Sequence, residues 1–231
     1  MFGVLVNALA VIAGSGLGLL LRRGLPQKYT DGLMQALGLC VIVIGILGLN
    51  AKVDSMAVIL SIVLGSVIGI ALNIDGAIRR FGDSMDRRFT SSAQDGGHTL
   101  GEGFVTATLF FCIGAMTVTG SLRSGLEGDH SILYAKSALD FISSILFTSA
   151  IGIGVMLSSL SVLVIQGGIV LLARLVAPLF TDSAIAAISC VGSVLILALG
   201  LNMLNITKIK LADMLPSLVL APVTAALMAM F

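Results

Sequence analysis

No Asp, Glu, Lys or Arg occurs between Asp140 and Arg174. A stretch of that length cannot form the solvated surface of a soluble domain. It is too long for one membrane helix, which needs about 20 apolar residues, and just long enough for two. The serine cluster Ser158-Ser159-Leu160-Ser161 marks the break between them. Similar uncharged runs cover 2–21, 32–49, 55–74, 103–122, 183–207 and 214–231, which gives an expectation of eight spans. Composition agrees over the whole chain: 57% of the 231 residues are hydrophobic and 11% are charged, against roughly 25% charged in soluble domains. Mean hydropathy is +1.11. The fold class read from sequence is therefore all-α, a polytopic transmembrane helix bundle.

The first run could pass for a secretory signal, but no basic segment precedes it and Arg22-Arg23 follow it. That flank reads as stop-transfer, so the segment is expected to stay as the first span. Loop charges set an orientation. Odd-to-even loops hold Arg22, Arg23, Lys28, Arg79, Arg80, Arg87, Arg88, Lys208 and Lys210; the others hold Lys52, Arg123, Lys136 and Arg174. Nine against four places both termini outside the cytoplasm.

The polar segment 75–102 then lies inside. Ile78, Phe81, Met85 and Phe89 recur there at helical spacing, with arginines and aspartates between them. This reads either as an amphipathic helix on the inner leaflet or as a solvated extension of the third span. "SSAQDGGH" after it reads as a linker.

A shift of 151 positions matches Gly16 to Gly167, Leu20 to Leu171, Arg23 to Arg174, Thr30 to Thr181 and Asp31 to Asp182. One inserted residue later, Gly48-Leu49-Asn50 falls on Gly200-Leu201-Asn202. The matched halves, 1–74 and 159–231, flank central spans within 103–158. Three spans then match three others five positions on, so the copies cross the membrane in opposite senses. An inverted-topology repeat with a polar site near its centre is expected.

Several chemistries find no support. "AGSGLG" lacks the third glycine and the strand–helix flanks of a dinucleotide fingerprint. Cys40, Cys112 and Cys190 stand singly in apolar runs, without metal-ligand or disulfide spacing. No nucleophile–base pair is visible, so the chain is expected to be neither an enzyme nor a cofactor or metal binder. Without Trp and with a net charge of +1, nucleic acid is not an expected partner. Ala10, Gly14 and Gly18, and likewise Gly65 and Gly69, form small-xxx-small faces. These suit close helix contact within one chain or in a homodimer.

The candidate binding residues are the polar groups in and beside the spans. Span four ends in Thr117, Thr119 and Ser121, interspersed with Gly114 and Gly120. Such a stretch can unwind to present carbonyls and hydroxyls, or its threonines can bond back along the helix. Lys136 and Asp140 stand four apart at the start of span five. The lysine can snorkel to the interface, whereas a carboxylate near the hydrocarbon costs about 3 kcal/mol and usually faces a cavity or partner. Gln166, Asn202 and Asn7 are the mid-span amides, each read as a helix-contact or pathway residue. Together these eight residues describe a transporter or channel for a small ion or polar solute; a membrane scaffold or sensor is the alternative.

"FCIGAMTVTGS", "LEGDHSILYAKSALDF", the "QGG" of span six and "GLNMLNITKIKLADMLPSL" resemble the YqgA/YdfK-like bacterial inner-membrane proteins, and the likeness extends from "NALAVIAGSGLG" onward. The resemblance implies a bacterial inner-membrane protein with no assigned substrate. The resemblance covers Gly114, Met116, Thr117, Gly120, Lys136, Asp140, Gln166, Asn202 and Pro216. It implies Asn where this chain has Asp213.

Overall fold

The structure is a computed structural model that describes residues 1–24, 27–49, 53–78, 80, 100–112, 115–177 and 180–228. Among these, the chain forms α1 (Phe2–Gly24), α2 (Gln27–Leu47), α3 (Ser55–Leu72), α4 (Leu100–Cys112) and α5 (Ala115–Leu126). It continues through α6 (Ser131–Ile151), α7 (Gly154–Leu171), α8 (Ala173–Val176), α9 (Asp182–Met203) and α10 (Pro216–Met228). A 3-10 turn, Leu211–Met214, precedes α10. The expected amphipathic helix lies mostly outside the described residues, of which 74–78 are helical. The linker at 91–98 and Gly114 also lie outside them.

Local signals explain the helix ends. Asp54 caps α3, its carboxylate accepting from the Met56 N–H at 2.7 Å. At the other end Asn73 adopts the left-handed conformation, φ 50°, and returns its N–H to Gly69 and Ile70 carbonyls. Thr181 caps α9 through the Ala184 N–H. Pro216 opens α10, where its missing N–H costs nothing.

Packing is reversed relative to a soluble protein. On α3 the buried residues are Ala57, Ser61, Gly65 and Gly69, one per turn, while Ile59, Val63, Val67 and Ile70 face outward. Large apolar groups outside and small ones inside suit a helix solvated by lipid. Five helices are long and apolar enough to cross a membrane, or six if the bent pair α4–α5 counts as one span. Two expected spans fall short of that measure. The apolar part of α2 is only Met34–Leu47, and α6 carries Lys136, Asp140 and a row of hydroxyls.

Glycines set the closest approaches. A Cβ on Gly14 would strike the Phe141 carbonyl and the Ser144 hydroxyl, and one on Gly18 would lie 2.6 Å from the Ile145 carbonyl oxygen. Gly3 meets Leu133 at the start of the same contact, so α1 and α6 run parallel. Gly65 and Gly69 press against the backbones of Ser217 and Asp213, which makes α3 and α10 antiparallel. Gly38 meets Met203 and Leu204 while Gly45 meets Ser193 and Leu197, so α2 and α9 are antiparallel too. Gly14, Gly18, Gly65 and Gly69 of the two small-residue faces thus pack within one chain. The tight turn at Gly152 and Ile153 sends α7 back against α6, and α4 lies beside it, with Gly103 on Gly154 and Thr108 bonded to Ser161. Val11, Val41, Phe111, Phe147, Val155, Val162 and Leu195 fill the common core.

Candidate functional site

Asp140 stands near the midpoint of α6, not at its entrance, because the helix begins nine residues earlier at Ser131. The residue is 3% exposed. Lys136 sits one turn away and is 6% exposed: the side chain turns inward instead of snorkelling. Its Nζ donates to Asp140 Oδ1 at 2.9 Å and Oδ2 at 2.8 Å. The i,i+4 spacing brings the groups together, but here the pair is removed from solvent, where an uncompensated charge costs several kcal/mol.

Two other helices close on the pair. Asn7 from α1 donates through Nδ2 to Asp140 Oδ2 at 3.0 Å and to Gln166 Oε1 of α7 at 3.2 Å. Both amides are wholly buried. The arrangement leaves Asn7 Oδ1 and Gln166 Nε2 without a hydrogen-bond partner among the described residues. One acceptor and one donor therefore stand open beside a charge pair. A buried polar atom left so costs about 1–3 kcal/mol, which a solute or water would recover.

The break in span four borders this cluster. α4 and α5 meet at 61° between Cys112 and Met116. Thr117 Oγ1 donates to the Phe111 carbonyl, six residues back, at 3.2 Å. A regular helix offers a threonine the carbonyl three or four residues back, so this bond spans the bend. Cys112, at the end of α4, lies within electrostatic range of both Lys136 and Asp140. Ser121 is wholly buried with its hydroxyl unpartnered among the described residues, and Thr119 is half-buried.

Asn202 lies elsewhere. Its Nδ2 donates to the Ile209 carbonyl at 2.7 Å, and its Oδ1 accepts from Ile209 N–H and Thr207 Oγ1. It organises the loop after α9 and lines a separate cavity of about 410 Å³, whose wall includes Ile151, eleven residues along α6 from Asp140. Of the eight residues singled out by sequence, the structure joins Asn7, Lys136, Asp140 and Gln166. It puts Thr117 at the adjoining bend and assigns Asn202 to loop structure. Asp213 is buried, its Oδ1 accepting from the Asp75 N–H at 2.9 Å; an Asn carries the same acceptor, which fits the residue implied by resemblance.

Sequence reading missed the Phe110–Phe111–Phe147 cluster, with ring centroids 4.9 to 6.3 Å apart at steep angles. Phenylalanines in an apolar chain carry no signal of which ones meet. It also missed the bond between Ser61 and Thr224 that ties α3 to α10. Ser61 at four-residue spacing from Gly65 and Gly69 was the available clue.

Comparison with known proteins agrees with the resemblance seen in the motifs. The chain is 34% identical over 227 residues to the "Uncharacterized membrane protein YdfK" of Bacillus subtilis (strain 168), covering 96% of this chain and 95% of that one. It is 34% identical over 231 residues to the "Uncharacterized protein YqgA" of Escherichia coli (strain K12), covering 99% and 98%. No solved structure matches it. The family described as "Protein of unknown function (DUF554)" matches residues 2–226, and a match of that extent, with both relatives aligned almost end to end, makes this chain a member of the DUF554 family.

Proposed function

We propose that the chain is a transporter or channel for a small ion or polar solute, with Lys136, Asp140, Asn7 and Gln166 forming the site in its pathway. The observation that carries this is the buried charge pair itself, flanked by an unpaired acceptor and donor where α1, α6 and α7 meet the bend of α4–α5. A structural ion pair this deep gains little over an apolar replacement. Ionisable groups inside a membrane mark pathways far more often than they serve packing.

An inverted repeat, as the sequence matches suggest, accords with this reading. A two-fold axis brings a residue against its own counterpart wherever a contact lies on the axis. Val11 and Val162, 151 positions apart, are both wholly buried in one core. Beyond the inserted residue, Gly45 meets Leu197, with a Cβ on Gly45 placed 2.9 Å from Leu197 Cγ, and Gly65 meets Ser217. Both of those pairs are 152 positions apart. Matched residues thus meet where α2 packs on α9 and α3 on α10, as an inverted repeat requires. In this scheme all eight expected segments span, α6 as the polar interior helix, with both termini extracytoplasmic and an inner-membrane location.

The test is flux in proteoliposomes challenged in turn with gradients of sodium, potassium, chloride and acetate. One of these is expected to move, and Asp140→Asn to abolish the movement while the protein remains folded. No flux of any of the four, or flux unchanged in the variant, overturns the assignment.

A further inference from the structure

The cavity around Asn202 and the buried pair are separated by one layer of rings, and the order is the same on two antiparallel helices. Along α6, Ile151 lines the cavity, Phe147 comes one turn earlier, and Asp140 lies two turns beyond that. Along α4, Val105 and Thr106 line the cavity, Phe110 and Phe111 follow, and Cys112 stands within electrostatic range of Lys136 and Asp140. Phe111 and Phe147 are wholly buried, 6.3 Å apart edge to face, with Phe110 bridging them. Helix rise puts the layer roughly 6 Å from the cavity wall and 10 Å from the carboxylate. The cavity holds about 410 Å³, room for a small hydrated solute. Two ammonium groups, Lys208 and Lys210, stand exposed at its rim, and Asp75 is the carboxylate among the described residues that line it.

We propose that this cavity is the cytoplasmic vestibule of the pathway, that it gathers small anions through Lys208 and Lys210, and that Phe110, Phe111 and Phe147 seal it from the Lys136–Asp140 pair. The inference rests on the transport reading for its purpose, and its geometry is tested without any flux. An excess of like charge at a confined mouth raises the local concentration of counter-ions and their entry rate. A layer of rings excludes water from the charge pair until it parts.

Thiol labelling in everted and right-side-out membrane vesicles tests all three statements. Thr106→Cys in a chain carrying Cys40→Ser, Cys112→Ser and Cys190→Ser reports on the vestibule. It is expected to react from the cytoplasmic side only, and faster with anionic sulfonatoethyl methanethiosulfonate than with the cationic trimethylammonium reagent, each rate taken relative to a free thiol. Replacing Lys208 and Lys210 with Gln removes that preference. Native Cys112, retained with Cys40→Ser and Cys190→Ser, reports on the seal. It is expected to be protected in the parent and to react at least tenfold faster from the cytoplasmic side in Phe147→Ala, or in Phe147→Leu should the alanine variant not accumulate. Labelling of Thr106→Cys from the outer side, a preference for the cationic reagent, or Cys112 as reactive in the parent as in the Phe147 variants would each overturn the proposal. A sealed, anion-selective vestibule in a protein without flux would instead overturn the transport reading and leave the vestibule standing.

Discussion

Lys136 Nζ bonds both carboxylate oxygens of Asp140, at 2.9 and 2.8 Å, from one turn away on the same buried helix. The pair thus lies within α6 alone, while α1 supplies Asn7 to it and α7 supplies Gln166 to Asn7. Removing one partner leaves the other charge uncompensated. Asp140→Asn or Lys136→Met is expected to destabilise the protein by about 3–5 kcal/mol, read as a lowered unfolding midpoint in detergent. The double change Lys136→Met with Asp140→Leu replaces both charges with apolar groups and is expected to regain most of that loss. A pair kept only for structure predicts an active double variant; a pathway pair predicts a stable, inactive one.

The glycines of α1 give a second prediction with an internal control. Gly14 faces the Phe141 carbonyl and Ser144, whereas Gly16, half a turn away, has nothing within 4 Å of an added Cβ. Gly14→Ala is expected to cost about 1–3 kcal/mol by forcing α1 off α6. Gly16→Ala is expected to change stability by less than about 0.5 kcal/mol. Equal effects on the melting temperature would mean that α1 does not approach α6 as closely as described.

Much of this was legible in the residues because lipid imposes simple demands. Charge-free runs give the helices, and small-xxx-small faces give the close contacts of α1 and α3. The scarcity of charge in the span-five segment singles out Lys136 and Asp140. Their partners were less legible. Asn7, Gln166 and Asn202 are equivalent as mid-span amides in a sequence, and only tertiary placement separates Asn7, which reaches Asp140, and Gln166, which reaches Asn7, from the one that folds a loop. The depth of Asp140 in its helix is not legible because Ser131 through Leu139 read as an approach to the apolar run, whereas they form the first half of α6. The ring layer had no periodic or chemical signature at all.

Asp129 offers a test of the extramembrane end of α6. The Ser131 N–H, 2.9 Å from Oδ1, holds its carboxyl below the usual range, with the Ser131 hydroxyl and Arg123 adding to the effect. The bound proton is therefore disfavoured in the folded state. The contribution is present in full above the unfolded value near 3.9 and is lost as pH falls through the lower folded value. Asp129→Asn is expected to lower the melting temperature slightly at neutral pH, the two curves converging as pH falls below about 4. A constant difference down to pH 2 would show that the carboxylate charge plays no part.

The bond between Ser61 and Thr224 tests the pairing of α3 with α10, on which the matched-helix scheme depends. Their hydroxyl oxygens are 2.5 Å apart, and Ser61 also reaches the Ala57 carbonyl at 2.6 Å while Thr224 lies 3.1 Å from the same carbonyl. Three oxygens on two helices share two protons, so each hydroxyl orders the other. Interhelical bonds of this kind in membranes average about 0.6 kcal/mol and reach about 1.7. Because this one shares a carbonyl and sits beside the tight Gly65–Ser217 contact, a coupling toward the upper end is expected. The measurement is a double-mutant cycle with Ser61→Ala and Thr224→Val, read by unfolding in mixed detergent. Additivity within about 0.3 kcal/mol would mean that the two side chains do not meet, and that α3 crosses α10 at some other register.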